Sequence, residues 1–394
     1  MFAFLRAIRK PWHIISMPIF ALILAACDPT SLGGSATSGG PKIDTNAPVP
    51  VALLIPRGGS ASDELLAQNL ENAARLAIRD LGGVQIDLRI YATAGNAAQA
   101  ASVASQAVNE GAKIILGPVY AEAANAAGNA VASQGVNVLA FSNNPTIAGG
   151  NVFVLGPTFD NTASRLVSYA KRSGRDRIVI LHAQDVAGEL GRSAIQKAIA
   201  ANGATQSGVV AYSNSQESVL AAVPQVKATM DSSGANALFL TTSSATALPL
   251  FAQLLPEAGV TSPATQYIGL TRWDIPVQTL ELSGVQGGWF ALPDPGATSA
   301  FRQRYTAAYG NGPLDIAGLS FDGIAAIGSL VQSGKTDALT GAALTQGAGF
   351  RGASGIFRLR ADGTNERGLA VASIRNQQVV VLEAAPRAFG GAGF

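Results

Sequence analysis

From Val51 onward, short and nearly continuous apolar runs alternate with longer stretches whose apolar positions recur at three- and four-residue intervals. That pattern predicts strands alternating with amphipathic helices. The clearest unit runs from Lys113 to Asn144. A strand at Ile114, Ile115 and Leu116 enters Gly117-Pro118, an Ala-rich helix follows, and a second strand from Val136 to Phe141 ends on Ser142-Asn143-Asn144. Strands apolar on both faces belong to parallel sheets covered by helices, and ligands of such sheets lie beyond the carboxyl ends of the strands. Ser142, Asn143 and Asn144 are thereby placed toward whatever is bound, and Tyr120 either lines that cleft or packs over the sheet end.

The same alternation organises the rest of the chain. Val51 to Ile55 reads as a strand, Pro56 to Ser60 as a loop, and Ser62 or Asp63 as the cap of a helix with Leu66, Leu70, Ala73, Ala74, Ala77 and Leu81 on one face. Ile86 to Ile90 alternates like a strand near a sheet edge, a helix from Asn96 to Glu110 ends at Gly111, and Val152 to Leu155 is another strand. After Gly156-Pro157 the pattern restarts. Helices are expected over 160–173, 189–201, 217–230 (kinked at Pro224) and 244–255, with strands at 178–181, 208–212, 237–240, 266–270 and 286–290. Two successive runs of strand-helix units indicate a chain built from two similar halves. The tail carries helices at 297–309 and 315–332, then strands at 355–359, 369–374 and 379–382, so the chain returns to the first half and then to the second.

The first residues follow a different plan. Arg6, Arg9 and Lys10 precede an apolar stretch from Ile14 to Leu24, which at eleven residues is too short for a membrane-spanning helix and fits a secretory signal. Its closing Leu24-Ala25-Ala26-Cys27 resembles the bacterial lipobox, which implies lipidation of Cys27, removal of residues 1–26 and a periplasm-facing protein held at a membrane. Asp28 to Pro50, rich in Gly, Ser, Thr and Pro, reads as a flexible tether over 27–50. Three of the 27 basic residues leave with the signal, so 24 face 25 acids at a net charge of −1, and no basic field remains for nucleic acid.

Composition narrows the chemistry further. Cys27 is the only cysteine, and His13 and His182 the only histidines, which excludes an internal disulfide and a Cys- or His-rich metal site. No cofactor is expected. The Arg57-Gly58-Gly59-Ser60 turn either holds an anion on its N–H groups or is simply tight, and it lacks the ending of a nucleotide-binding loop. His182 ends a strand near Asp185 without a nucleophile at an elbow, so the chain is read as non-catalytic.

VALLIP, ILGPVY, GVNVLAFSNN, VFVLGP, ADGTNERG and the paired terminal strands together resemble the type I periplasmic-binding-protein family, in its branched-chain amino-acid receptor branch, over about Val51 to Ala385. The resemblance implies an α/β fold of two Rossmann-like lobes with parallel sheets, joined by three crossover strands, with ligand in the cleft. The crossings would fall at 155–160, 291–295 and 347–354. Lobe 1 would comprise 51–157 plus 293–350, and lobe 2 158–292 plus 351–385.

The departures from that family shape the functional reading. Its amino-acid receptors place Ser or Thr after the Gly-Pro turn, where this chain has Ala121 and Glu122; Asn143-Asn144 replaces a hydroxyl pair, and Asp185-Val186-Ala187-Gly188 lacks the family's aromatic lid. A carboxylate at Glu122 would repel that of an amino acid. Remaining cleft candidates are Arg57, Ser60, Thr242 and Ser243 (ligand hydroxyls or helix caps), and Arg272 with Trp273, which either meet a ligand or form a crevice wall. With the lipobox, the eroded anchors resemble the lipoprotein activators of penicillin-binding proteins, so a regulator of cell-wall synthesis is expected first. The alternative is the solute-binding receptor of an ABC importer, with an ABC permease as partner and an amino-acid-like or amide ligand.

Overall fold

The structure, a computed structural model, describes residues 40–390; Cys27, the signal segment and most of the tether lie outside the described residues. The tether reading is corrected at its end. Ile43 is buried in the first lobe's core and its N–H donates to the Thr336 carbonyl, so the fold begins before Val49.

The first lobe is built on a parallel sheet of β1 (Val49–Ile55), β2 (Ile86–Ala92), β3 (Ile114–Leu116), β4 (Val138–Ala140) and β5 (Val152–Val154), in the order β2-β1-β3-β4-β5. Val51 lies opposite both Leu88 and Ile114, which puts β1 inside the sheet between β2 and β3, with the alternating β2 at an edge. The two-residue period of β1 divides its side chains between two cores. Val51, Leu53 and Ile55 join α1 (Ala61–Asp80), α8 (Pro295–Tyr309) and α9 (Ala317–Val331). Ala52 and Leu54 face α2 (Ala97–Asn109) and α3 (Ala121–Val131). Gly117 turns β3 into α3 at φ +88°, and a Cβ there would run into the Leu54 carbonyl, so glycine alone fits.

The second lobe carries β6 (Arg177–Ala183), β7 (Thr205–Tyr212), β8 (Ala237–Leu240), β9 (Gln266–Gly269), β10 (Trp289–Pro293), β14 (Leu369–Arg375) and β15 (Gln378–Glu383), ordered β15-β14-β10-β9-β8-β6-β7. All pairs are parallel except those made by β14 and β15. One face packs on α4 (Phe159–Arg172) and α5 (Val186–Ala201), the other on α6 (Gln216–Ser233) and α7 (Leu248–Glu257). Both sheets place their parallel strands' carboxyl ends toward a common cleft, as expected for this fold class.

Several boundaries move. Ser60, not Ser62 or Asp63, caps α1 and forms a capping box with Asp63. The strand expected at 286–290 runs from Trp289 to Pro293, because Val277–Glu281 and Ser283–Val285 form 3-10 turns ahead of it. A small antiparallel sheet, β11 (Phe350–Gly352), β12 (Gly355–Leu359) and β13 (Asn365–Arg367), precedes β14, beyond the short helix α10 (Gly341–Leu344). Phe350, Ala353, Phe357 and Leu359 sit in the first lobe's core, so residues 351–359, assigned from the sequence to lobe 2, pack with lobe 1. The third crossing falls at Arg367–Leu369 instead of 347–354, since Leu369 is the first residue of this segment in the second lobe's core. The charge-rich run from Arg358 to Arg367, which reads from sequence as solvated, hid that boundary.

Candidate functional site

A cavity of about 800 Å³ lies between the lobes on the hinge side of the cleft. The first lobe supplies the loop after β3 (Val119, Tyr120, Ala121) and the loop after β4 (Phe141 to Asn144), and the first crossing supplies Gly156 to Phe159. From the second lobe come Leu270, Thr271, Arg272 and Ile275 after β9, with Ala291, Leu292 and Pro293 of β10. Phe301, Pro313, Ile316 and Leu319 close the floor, and the wall is mostly apolar. An apolar cavity with a few directed polar groups is the usual form of a small-molecule site.

Each charged side chain on the wall already has a counter-charge. Arg272 holds Asp274 with two hydrogen bonds, its Nε donating at 2.6 Å. Arg302 pairs with Asp315 at 2.7 Å, both at the rim. Arg367 is the deepest: its Nη1 donates to Asp322 Oδ2 at 2.9 Å and to Ser354 Oγ at 3.0 Å, and its Nε donates to the Leu155 carbonyl at 3.0 Å. Asp322, on α9, is wholly buried and also accepts the Ala353 N–H at 2.6 Å. Burial pushes its carboxyl up, against the pull of Arg367 and that N–H. Asn365 extends the network by donating to the Val154 and Gly156 carbonyls, both at 2.8 Å, while Arg165 donates to the Leu369 carbonyl at 2.7 Å. Buried polar side chains thus tie two of the crossings to each other.

The sequence candidates divide between cavity and scaffold. Tyr120, Ser142, Asn143, Asn144 and Arg272 line the cavity. Ser142 is buried and accepts the Asn144 N–H at 3.1 Å, and Asn144 Oδ1 accepts Thr146 N–H at 3.0 Å, which leaves Asn143 as the exposed amide of the three. Trp273 is not on the cleft. It is fully buried in the second lobe's core, slotted where a Cβ on Gly269 or Gly288 would overlap its indole. Arg57 pairs with Glu71 at 2.9 Å, and the neighbouring Gly58 and Ser60 N–H groups donate to Glu64 and Asp63, so this loop fills its own anion site.

Asp185 and Ser60 cap α5 and α1, and neither lines the cavity. The N–H of Gly188 and the amide of Asn214 hold the Asp185 carboxyl below the usual range. Thr242 and Ser243 lie away from the cavity and cap no helix: α7 starts at Leu248, Thr242 is buried, and Ser243 Oγ accepts the Ala245 N–H in a turn. Glu122 is exposed and off the wall, which removes the repulsion expected from it. His182 is buried with Nδ1 3.0 Å from the Ala183 carbonyl. Among the described residues no cluster of three His, Cys, Asp or Glu side chains could hold a metal.

The sequence reading missed Thr158, Thr298, Phe301, Ser354 and Arg367 on the cavity wall. Arg367 was in view within ADGTNERG, but a lone arginine in a polar run looks solvated until the turn folds onto Asp322.

Two doubly wound lobes, three crossings and a hinge-side cavity define a bilobal binding protein. Residues 48–378 match the periplasmic binding protein family, and the chain belongs to that family. The type I periplasmic-binding-protein fold is shared by a protein of Rhodospirillum rubrum provisionally described as a branched-chain amino acid ABC transporter, at TM-score 0.72 and 16% identity, over 85% of this chain and 100% of that one. A substrate-binding protein of Desulfitobacterium hafniense in complex with leucine matches at TM-score 0.61 and 18% identity, over 85% and 100%. A solute-binding protein of R. palustris in complex with benzoate matches at 0.53 and 18%, over 88% and 99%. At such identities the likeness is one of fold. No curated protein matches the chain. Among the described residues no helix is long and apolar enough to cross a membrane.

Proposed function

We propose that this chain is the solute-binding receptor of an ABC importer, and that its hinge cavity takes a small, mainly apolar solute with an uncharged hydrogen-bonding head, such as an amide. The observation that carries this is the pairing of Arg272, Arg302 and Arg367 with Asp274, Asp315 and Asp322 around walls that are mostly apolar and whose other polar groups are uncharged. A zwitterion would need a free acceptor for its ammonium and a free donor set for its carboxylate, and burying either charge without a partner is costly. Asn143 offers both a donor and an acceptor to an amide head.

The regulator of a penicillin-binding protein, expected first from the sequence, rests on the lipobox together with the eroded amino-acid anchors. A cavity suited to another kind of solute accounts for the same erosion. Family membership and the described neighbours favour the receptor. Lipidation at Cys27 belongs to this proposal and would keep the non-catalytic receptor at the membrane surface, facing the periplasm.

Thermal unfolding of the purified protein with 4-methylpentanamide and with leucine tests the solute class. At about 100 times the dissociation constant a ligand stabilises by about 2.7 kcal/mol, so the amide should raise Tm and leucine should not. Stabilisation by leucine alone refutes the uncharged-head reading. Capture from membranes tests the partner: recovery of a permease and ATPase is expected, and recovery of a cell-wall synthase in their place refutes the receptor.

A further inference from the structure

One aromatic ring in the cavity is held in an unusual way. Tyr120 is 41% exposed and lines the wall, yet its hydroxyl is bonded to a residue off that wall. It donates to Asp63 Oδ1, on the first turn of α1. The other carboxylate oxygen of Asp63 accepts the Ser60 N–H at 3.0 Å and the Ser60 hydroxyl at 2.8 Å, so the acceptor is itself fixed by the α1 capping box. The hydrogen bond holds the Asp63 carboxyl below its ordinary value and pushes the Tyr120 phenol up. On a second side Gly95, at φ +69°, brings the loop after β2 against the ring; a Cβ there would lie 3.2 Å from Tyr120 Cε2. The first turn of α1, which follows β1, and the loop after β2 thus converge on the side chain that the segment after β3 carries.

A tyrosine whose hydroxyl proton is spent on the scaffold has no donor left for a solute and presents chiefly its ring. Rings prefer offset-stacked or edge-to-face partners, and a ring fixed in advance loses little freedom on binding. Phe141, Phe159 and Phe301 add aromatic surface to the same cavity. Resting on the receptor reading above, we propose that the site selects solutes with a planar aromatic ring, that Tyr120 is the surface on which this ring packs, and that Asp63 is the residue that positions Tyr120.

Benzamide and cyclohexanecarboxamide share a head group and nearly a size and differ in planarity, so their affinities for the purified full chain, measured by titration calorimetry, isolate the effect. The wild type should favour benzamide about three- to tenfold, the range for one added aromatic pair. Tyr120→Ala should abolish that preference. Tyr120→Phe, which keeps the ring and loses the tether, and Asp63→Asn should each weaken benzamide binding more than binding of the cyclohexane analogue. Their double variant should be no worse than either alone, because both remove one interaction. Binding of both amides with no preference, or a preference that survives Tyr120→Ala, overturns this inference and leaves the receptor standing. A preference retained in Asp63→Asn, or additive losses in the double variant, removes Asp63 from the role. Binding of neither amide overturns the uncharged-head receptor and this selectivity with it.

Discussion

Asp322→Ala should be among the most damaging single substitutions in the first lobe. Asp322 is fully buried on α9, and its two oxygens take the Arg367 guanidinium at 2.9 Å and the Ala353 N–H at 2.6 Å. The substitution leaves a cation buried without a counter-charge, beside the Leu155 carbonyl, the Ser354 hydroxyl and the Phe357 ring, and it leaves a backbone donor without an acceptor. Removing one partner of such a pair costs about 3–5 kcal/mol. Unfolding entropy of about 2.1 cal/mol/K per residue gives the fold over residues 40–390 about 0.7 kcal/mol/K, so Tm should fall by about 4–7 °C. Calorimetry reads that fall, and urea titration reads the accompanying loss of stability. The double variant Asp322→Leu with Arg367→Met, which replaces the pair by apolar groups of similar volume, should recover much of the loss. A fall in Tm under about 1 °C for Asp322→Ala, or a double variant worse than the single one, would refute the claim that this pair holds the hinge.

Gly269→Ala should drive a methyl into the Trp273 indole and cost about 1–3 kcal/mol, visible as a changed near-ultraviolet signal and a lower urea midpoint. Ile43→Ala should cost about 2 kcal/mol by the same titration if residues before β1 belong to the fold, and nothing if they are a free tether. The Asp185 carboxyl is lowered in the folded protein, so its contribution is present above the unfolded value of about 3.9 and is lost as pH falls through the folded value. Asp185→Asn, which keeps a capping group without the charge, should flatten the decline in urea midpoint below about pH 4, while Asp185→Ala should cost about 1 kcal/mol already at neutral pH.

The α/β alternation was legible because buried parallel strands are continuous apolar runs: Ile114 to Leu116 and Ala237 to Leu240 needed no tertiary knowledge. Helix caps were half legible. The helix expected over 96–110 came within one residue at each end, Asn96 proving to be its cap, whereas Ser60, Ser62 and Asp63 are interchangeable by residue type and only the observed capping box distinguishes them. Trp273 was misplaced because aromatic residues after a strand suit a cleft and a core equally, and the deciding information is the absence of side chains at Gly269 and Gly288. The first lobe's share of the cavity was readable from the rule that ligands lie at strand ends. Its floor was not, since Phe301 and Arg367 reach it from helices and hairpins that follow no such rule.

The three crossings also bear on how the protein is made. α9, which packs on α1, ends at Val331, and β14, which pairs with β10, starts only at Leu369. While the polypeptide is still being synthesised or exported from its amino end, each half therefore lacks a neighbour that will emerge last. The first half must wait, with greasy faces uncovered, until α9 is out, and the second until β14 is. Helpers that shield nascent chains have most to do here just before β14 appears.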